Sequence, residues 1–589
     1  MAGFDFGTEN ISAKKSEIKS KAGSLSLVRL MLFIGIVICF VLTFSQTIFW
    51  ALPLIAITGF FVISIQKYNH LKSQESIYLA LEKLQELEAK RKLRELHGID
   101  PGAEYLEKTH PFANDLDLFG EHSLFQLLNH TISQGAKDKL ADLMKAKFDQ
   151  IKAKQYQEAS DELSEDEDFL KAMESIGIAF YTNEKPTAGW QSFLKQKKTT
   201  PLFISILAYL GPVLGLGLFV AVGIGVLPSA IIGVWILIGM IPLGLVFKEL
   251  KAASELLPSR NQLKAITNWL FEIEKKKFVS PLLQEKQKVI LSKEGSASKL
   301  FRSLDRLGNV IDNRINLLYI PFNLLFWTDL FIVSKLQSWI NMHGEDLSEI
   351  PQILEDWEVL ISLGAFEQEI GSKGELVWKE ETMISGQEMA HPLLLPEKAV
   401  PNDFKLGEEN RFVLLTGANM SGKTTFMRTV GINCVMANIG LRPFAKEFVM
   451  GDFNLYTSMR NTDNLGESVS SFYAELSRIH QLIERLEKNE RIFFLLDEIL
   501  KGTNTVDRVA GSEALIKQVA KTQGLGIVST HDIELADLEE KLSSVVNLSF
   551  HSEVLDETIN FDYKLKSGPC PSFNAHKLME LMGIRFQES

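Results

Sequence analysis

Two long stretches of this chain carry no charge, and they limit what the rest can fold into. Between Leu30 and Gln66, and again between Thr199 and Phe247, there is no Asp, Glu, Lys or Arg. The first stretch breaks near Ser45-Gln46 into apolar segments at residues 25–44 and 48–65. The second turns at 223–228 and gives segments at 201–222 and 227–247. Each approaches the ~20 residues with which a helix crosses a bilayer, so two transmembrane helical hairpins are expected. Arg29 lies near the start of the first segment, where its side chain can reach the interface. A cleaved signal peptide competes for that segment, but a second apolar segment follows at once and no small-x-small site ends the first. Lysines 21 and 67 flank the first pair; Lys195, Lys197, Lys198, Lys248 and Lys251 flank the second. Such flanks orient both hairpins with their open ends toward the cytoplasm.

Residues 411–425, RFVLLTGANMSGKTT, carry the strongest local pattern. RFVLLT reads as a buried strand. The stretch from Gly417 to Thr424 fits G-x-x-x-x-G-K-[ST], and a helical pattern follows to about Asn438, ending near Gly440. Strand, glycine loop and helix form the context of a phosphate-binding loop. Gly417 and Gly422 free the backbone to turn its N–H groups to one point, where the helix N-terminus adds positive potential. Lys423 would reach the β- and γ-phosphates and Thr424 would hold Mg²⁺. The nucleotide-binding set is thus Gly417, Ala418, Asn419, Met420, Ser421, Gly422, Lys423, Thr424 and Thr425.

About seventy residues on, RIFFLLDE (491–498) reads as a buried strand tipped by two acids. Asp497 would hold the metal with Thr424, and Glu498 would polarise the attacking water, with Lys423 and His531 completing the catalytic set. His531 ends the next apolar run, GLGIVSTH, where it would sense the γ-phosphate or orient water. Gly502, Asn504 and Asp507 follow the acids in a loop beside the phosphates or at a partner's face. Ser470 or Ser471 caps the helix opened by NLGESVSSFYAE, or points at a nucleotide held by a second subunit; the residues alone leave both open. The net charge is −12, which argues against a uniformly basic nucleic-acid coat but leaves room for a local basic surface. Cys39, Cys434 and Cys570 are far apart and read as buried thiols, with no metal or disulfide pattern. Between and after the hairpins the pattern is helical, including a charged helix at 77–96. Trp327, Trp339 and the Phe residues at 322–326 read as core in preference to a membrane surface. After Trp378, short apolar strands begin.

These motifs resemble the MutS family of ABC-type ATPases. TGANMSGKTTFMRTVG is similar to TGPNMGGKST-x-x-R, with Ala418 in place of a proline and Ser421 in place of a glycine. DEILKGTNTVDR resembles DEIGRGTSTYDG, STHDIEL resembles ATHYFEL, and SVSSFYAEL resembles the S-T-F-x-x-E helix. His391-Pro392 and VPNDFKL (400–406) resemble the entry to that family's ATPase domain, and the match extends through 565–584. Residues 116–143 and 356–369 resemble parts of its core and levers. The resemblance implies ATP and Mg²⁺ as cofactors, a homodimer in which Ser470 reaches the partner's ATP, and a DNA role in repair or recombination.

The departures are as informative. Residues 1–110 leave no room for a mismatch-reading domain, the second hairpin sits where the levers and DNA clamp would be, and the chain ends soon after Ile584. The expected fold is an α/β P-loop (ABC-type) ATPase domain at 378–589, preceded by an all-α core and lever region with two transmembrane hairpins. In order these are a polar segment 1–24, hairpin 25–66, juxtamembrane helix 67–110, core-like helices 111–198, hairpin 199–247 and lever region 248–377. The expected protein is a dimeric ATPase anchored in lipid by four helices in the cytoplasmic membrane of a bacterium, with its ATPase domain in the cytoplasm. An ATP-driven transporter or an ATP-switched membrane scaffold without a DNA role is the alternative.

Overall fold

The computed structural model describes the chain except for residues 1–3, 182–186, 198, 292–295, 313, 315–318, 419, 461–470, 556–557 and 572–589. It forms two compact units. The first comprises Met1–Glu86, Thr131–Ala136 and Asp166–Val359; the second comprises Leu87–His130, Lys137–Glu165 and Leu360–Ser589.

The regular elements among the first unit's described residues are helices. Helices α1 (Ile11–Ser45) and α2 (Ala51–Lys92) are joined through a short 3-10 turn, Ile48–Trp50. Helices α3 (Leu202–Gly223) and α4 (Ala230–Leu256) follow. All four are long and apolar enough to cross a membrane by length and composition. Helices α1 and α2 run antiparallel. Lys15 Nζ meets Glu82 Oε2 at 2.6 Å, the Arg29 guanidinium lies 4.6 Å from the Tyr68 ring centroid, and Phe33 faces Phe61 at 6.3 Å. Both helices outrun their apolar segments. The polar residues from Ile11 onward are helical, and the charged stretch expected as a separate helix continues α2 without a break. No Gly or Pro interrupts residues 60–92, and Glu, Lys, Leu and Ala there are strong helix formers.

Helices α5 (Tyr319–Phe326) and α6 (Thr328–Leu347) also belong to this unit. Trp327 and Trp339 are buried, as expected of core, but Phe322 is not: it is 52% exposed, because no residue of α5 is buried.

The second unit is built on two sheets. Strands β1 (Glu375–Trp378), β2 (Ile384–Met389), β3 (Asn402–Leu406), β4 (Phe412–Gly417), β5 (Glu447–Met450), β6 (Asn454–Ser458), β7 (Ile492–Asp497), β8 (Leu525–Thr530), β9 (Val545–Leu555) and β10 (Thr558–Ser567) follow in order. The mixed four-stranded sheet runs β1-β5-β2-β3 and the six-stranded sheet runs β10-β9-β4-β8-β7-β6. In the larger sheet every pair is parallel except β9–β10. Apolar runs such as FVLLTG and LGIVST are buried along their whole length, as a parallel sheet covered on both faces requires. Three helices serve this sheet: α7 (Lys423–Asn438), α8 (Ser471–Glu487) and α9 (Thr505–Val519). Leu482, Leu486, Ile516 and Val519 pack with Phe412 and Phe494 into one core.

The segment around Asp115 is tied to the end of β6. The buried Asp115 carboxylate accepts from Thr457 Oγ1 at 2.7 Å, Met459 N at 3.1 Å and Arg460 N at 3.2 Å. Gly431 of α7 has Leu116 and Leu495 so close that a Cβ would collide with both.

Candidate nucleotide site

The register of the larger sheet sets the geometry of the site. Thr416 pairs with Thr530, and Asp497 with Ser529. The C-terminal ends of β4, β8 and β7 therefore share one edge, the place where open α/β sheets hold their ligands. The loop after β4 leads into α7 there. Gly417 (φ 155°) and Gly422 (φ 104°) both lie in backbone space that side chains rarely adopt. A Cβ on Gly417 would press on Phe550 O and Ser421 Oγ at 2.8 Å each. Met420 also has positive φ and points outward, 80% exposed.

Lys423 is buried, and its Nζ donates to Gly417 O at 2.8 Å and Ala418 O at 3.1 Å, folding back over the loop. Burial holds its pKa below the ordinary lysine value, opposed by the nearby Glu498 and Asp497 carboxylates. Thr424 Oγ1 donates to Asp497 Oδ2 at 2.6 Å. The other oxygen, Asp497 Oδ1, is shielded from solvent and has no hydrogen-bond partner among the described residues; the same holds for Ser421 Oγ and Ser529 Oγ. A buried carboxylate oxygen without a donor is costly in water's absence. Beside a threonine hydroxyl it fits a hard cation that takes oxygen ligands, such as Mg²⁺.

Glu498 follows β7 with φ 50°, and its N–H donates to Ser529 O at 3.0 Å. One carboxylate oxygen is hydrogen-bonded to His531 Nε2, and the other is paired with Lys501 Nζ. The His531 contact, helped by Lys501 and opposed by burial, holds this carboxyl down to about 2. A cavity of 440 Å³ opens between the loop and the β9–β10 hairpin, lined by Lys423, Thr424, Thr425, Glu498, Phe550 and Tyr563 among others. His391 also lines it, and burial pushes that imidazole down to about 4.

Gly417, Ala418, Met420, Ser421, Gly422, Lys423, Thr424, Thr425, Asp497, Glu498 and His531 thus converge on one sheet edge. Asn419 and Ser470 lie outside the described residues. Asn504 and Asp507 turn to each other: Asn504 Oδ1 accepts from Asp507 N at 2.9 Å and caps α9. Sequence reasoning missed three contacts. Lys501 pairs with Glu498 at i+3. Arg508 forms a two-pronged ion pair with Asp532, 2.9 and 2.7 Å, locking α9 to the His531 turn. Glu475 of α8 accepts from Leu500 N, and burial raises its pKa.

The family model for MutS domain V matches residues 413–584, the whole stretch that builds this edge. Residues 413–584 are a MutS domain V. The chain is 33% identical to the DNA mismatch repair protein MutS of Aquifex pyrophilus over 202 residues, 34% of this chain and 23% of that protein. Against the DNA mismatch repair protein MutS of Bacillus subtilis (strain 168), identity is 33% over 222 residues, 36% of this chain and 25% of that one. Against that of Geobacillus sp. (strain WCH70), it is 28% over 323 residues, covering 53% and 34%. The matched part of the chain therefore spans only 23% to 34% of the length of these MutS relatives. At the level of the family, the MutS domain V is an ATPase domain.

Proposed function

We propose that this chain is a membrane-tethered ATPase of MutS type that works as a homodimer on DNA, and that the edge of β4, β8 and β7 is its phosphate site. The observation that carries this reading is the Thr424–Asp497 hydrogen bond beside the unpartnered Asp497 Oδ1, at the foot of a glycine loop. Lys423 would leave its backbone carbonyls for the β- and γ-phosphates. Thr424 and Asp497 would hold Mg²⁺, which neutralises phosphate charge when bound. The loop from Gly417 to Thr425, Asn419 included, would wrap the phosphates with its N–H groups. Glu498, kept ionised, would accept the proton of the attacking water, and His531 would fix its carboxylate in place. Ser470 would reach the partner's nucleotide.

The four long apolar helices support a tether. Their large side chains face outward, for example Leu52 at 70%, Val213 at 68% and Ile241 at 73% exposed. With lysines on the hairpin flanks, the site would face the cytoplasm of a bacterial cell. The test is the ATPase rate of the detergent-purified chain with perfect, mismatched and branched duplex DNA at stated salt, using Glu498→Gln as the blank. Stimulation by one DNA form establishes a DNA-coupled machine. Intact hydrolysis indifferent to every DNA form removes the DNA role and leaves the transporter or scaffold.

A further inference from the structure

Helix α5, YIPFNLLF, is uncharged and has no buried residue, yet it packs on α3 and α4 rather than facing outward alone. Ile320 and Phe322 are each 52% exposed. A solvent-facing helix of this composition has no hydrophobic stripe to hide and no polar face to show.

Its level along α3 and α4 can be read from its contacts. Before α5, the Arg314 guanidinium lies 5.9 Å from the Phe247 ring, at the end of the charge-free run. At the end of α5, Leu325 O accepts from Trp235 Nε1 at 2.8 Å. The Trp327 ring stacks on Trp235 at 4.1 Å and 7°, and packs against Gly211 and Gly239, where a Cβ would meet it. Gly211 and Gly215 lie at the middle of α3. Helix α6 then descends: Phe331 meets Tyr209 edge-on at 5.8 Å, and Gln337 is hydrogen-bonded to both Thr200 and Glu249. The chain thus reaches mid-helix, reverses at Trp327, and returns to the level of Thr200. The turn-to-exit run from Trp327 to Gln337 is about 15 Å of helix at 1.5 Å per residue, half of a ~30 Å hydrocarbon layer.

The reversal meets the requirement that non-helical backbone within a membrane be satisfied by protein. Trp327 adopts φ 50°, and its N–H donates to Asn323 O at 2.7 Å. Asn323 Oδ1 accepts from Thr328 Oγ1 and Asp329 N, both at 2.9 Å. The buried Asp329 carboxylate is neutralised by Arg314 through two hydrogen bonds, 2.9 and 2.8 Å, and accepts from Tyr319 OH at 2.6 Å. Trp327 Nε1 finds no acceptor among the described residues. Small residues on one face of α3, Ala208, Gly211 and Gly215, let the reversal approach closely.

We propose that residues 319–337 form a re-entrant hairpin that enters the bilayer alongside α3 and α4 from the side of Thr200 and Glu249, turns near mid-depth at Trp327, and presents Ile320 and Phe322 to lipid acyl chains. The proposal rests on the membrane reading of α3 and α4. Lipid is the occupant because the exposed apolar surface of α5 adjoins that of the two helices it packs on, which carry Val213, Leu216, Leu237 and Ile241 outward.

The experiment places one nitroxide at a time through Phe322→Cys, Ile241→Cys, Val279→Cys or Met342→Cys, with Cys39, Cys434 and Cys570 replaced by alanine. All four sites are exposed, so the labels disturb no packing. In phosphatidylcholine–phosphatidylglycerol vesicles, collision with oxygen and with a water-soluble nickel chelate reports the surroundings. Labels at 322 and 241 are expected to be oxygen-rich and nickel-shielded; those at 279 and 342 are expected to be nickel-accessible from the same face. A nickel-accessible 322 with a shielded 241 overturns the hairpin while the membrane reading stands. A label at 342 reached only from the opposite face means a full crossing and also overturns it. A nickel-accessible 241 removes the membrane reading and this proposal together.

Discussion

The larger sheet and the four long helices use the same apolar residues in opposite ways. In β4, β7 and β8, Val413, Leu415, Phe493, Leu495 and Ile527 are fully buried. On α1 to α4, Leu27, Phe60, Leu216 and Leu237 are all more than half exposed. Burial in the sheet is matched by short, polar strand tips, which is why chemistry gathers at its edge. Lysines flank the charge-free stretches of the helices. The difference shows that hydrophobicity alone does not define an interior. What separates the two regions is that the chain covers the sheet's apolar side chains itself and leaves many of those on the four helices exposed.

The comparison can be broken or sharpened at several points. The largest effect is expected at the sheet edge: Glu498→Gln should retain nucleotide and lower hydrolysis by about 10²–10⁴-fold, read as single-turnover rate. Normal turnover would show that another group is the base. Lys423→Ala should weaken nucleotide binding by about 10²-fold, since a desolvated charge-assisted contact contributes up to ~3 kcal/mol, measured by fluorescent-nucleotide titration. On the helices, Ile241→Lys should cost about 2.5–3.5 kcal/mol of membrane insertion, read as the fraction resisting carbonate extraction. If that face meets water instead, the change should stay within about 0.5 kcal/mol. Thr457→Val, which leaves the buried Asp115 short of a donor, should cost about 1–3 kcal/mol in denaturant unfolding of the second unit.

The smallest expected effect is a titration. Glu498 titrates near 2 instead of the ordinary 4.5, so its ionised form is favoured by folding. The stability it adds is complete above about pH 4.5 and is lost as pH falls toward 2. His531→Ala should move the carboxyl back toward 4.5, visible by ¹³C NMR, and shrink that pH-dependent increment.

The parts of the site that follow from local pattern were readable in the sequence. A strand, a glycine loop and a helix leave little freedom for where Lys423 and Thr424 lie, and two apolar runs ending in Asp497-Glu498 and His531 read as buried strands with polar tips. The contacts that were not readable depend on chain segments far apart in sequence. Nothing in ANDLDLFG announces that Asp115 ends on Thr457, 342 residues on. Arg508 meets Asp532 only because α9 packs where it does. Lys501 had a signal, its i+3 spacing from Glu498, which helical reasoning does not extend to a loop. Helix α5 read as core because its composition is apolar; composition cannot say which neighbour an apolar segment meets.

The pairing of α1 with α2 has a consequence for how the chain is made. Lys15 finds Glu82, and Asp5 finds Tyr78 and Gln74, partners some seventy residues downstream. At the ~5–20 residues per second of protein synthesis, α1 waits roughly 3–14 s before its other half leaves the ribosome. Until α2 begins to emerge, Phe33 lacks the Phe61 ring it faces in the folded chain. On the membrane reading proposed above, α1 would enter the bilayer before α2 is complete, and the hairpin would close on a helix already in place.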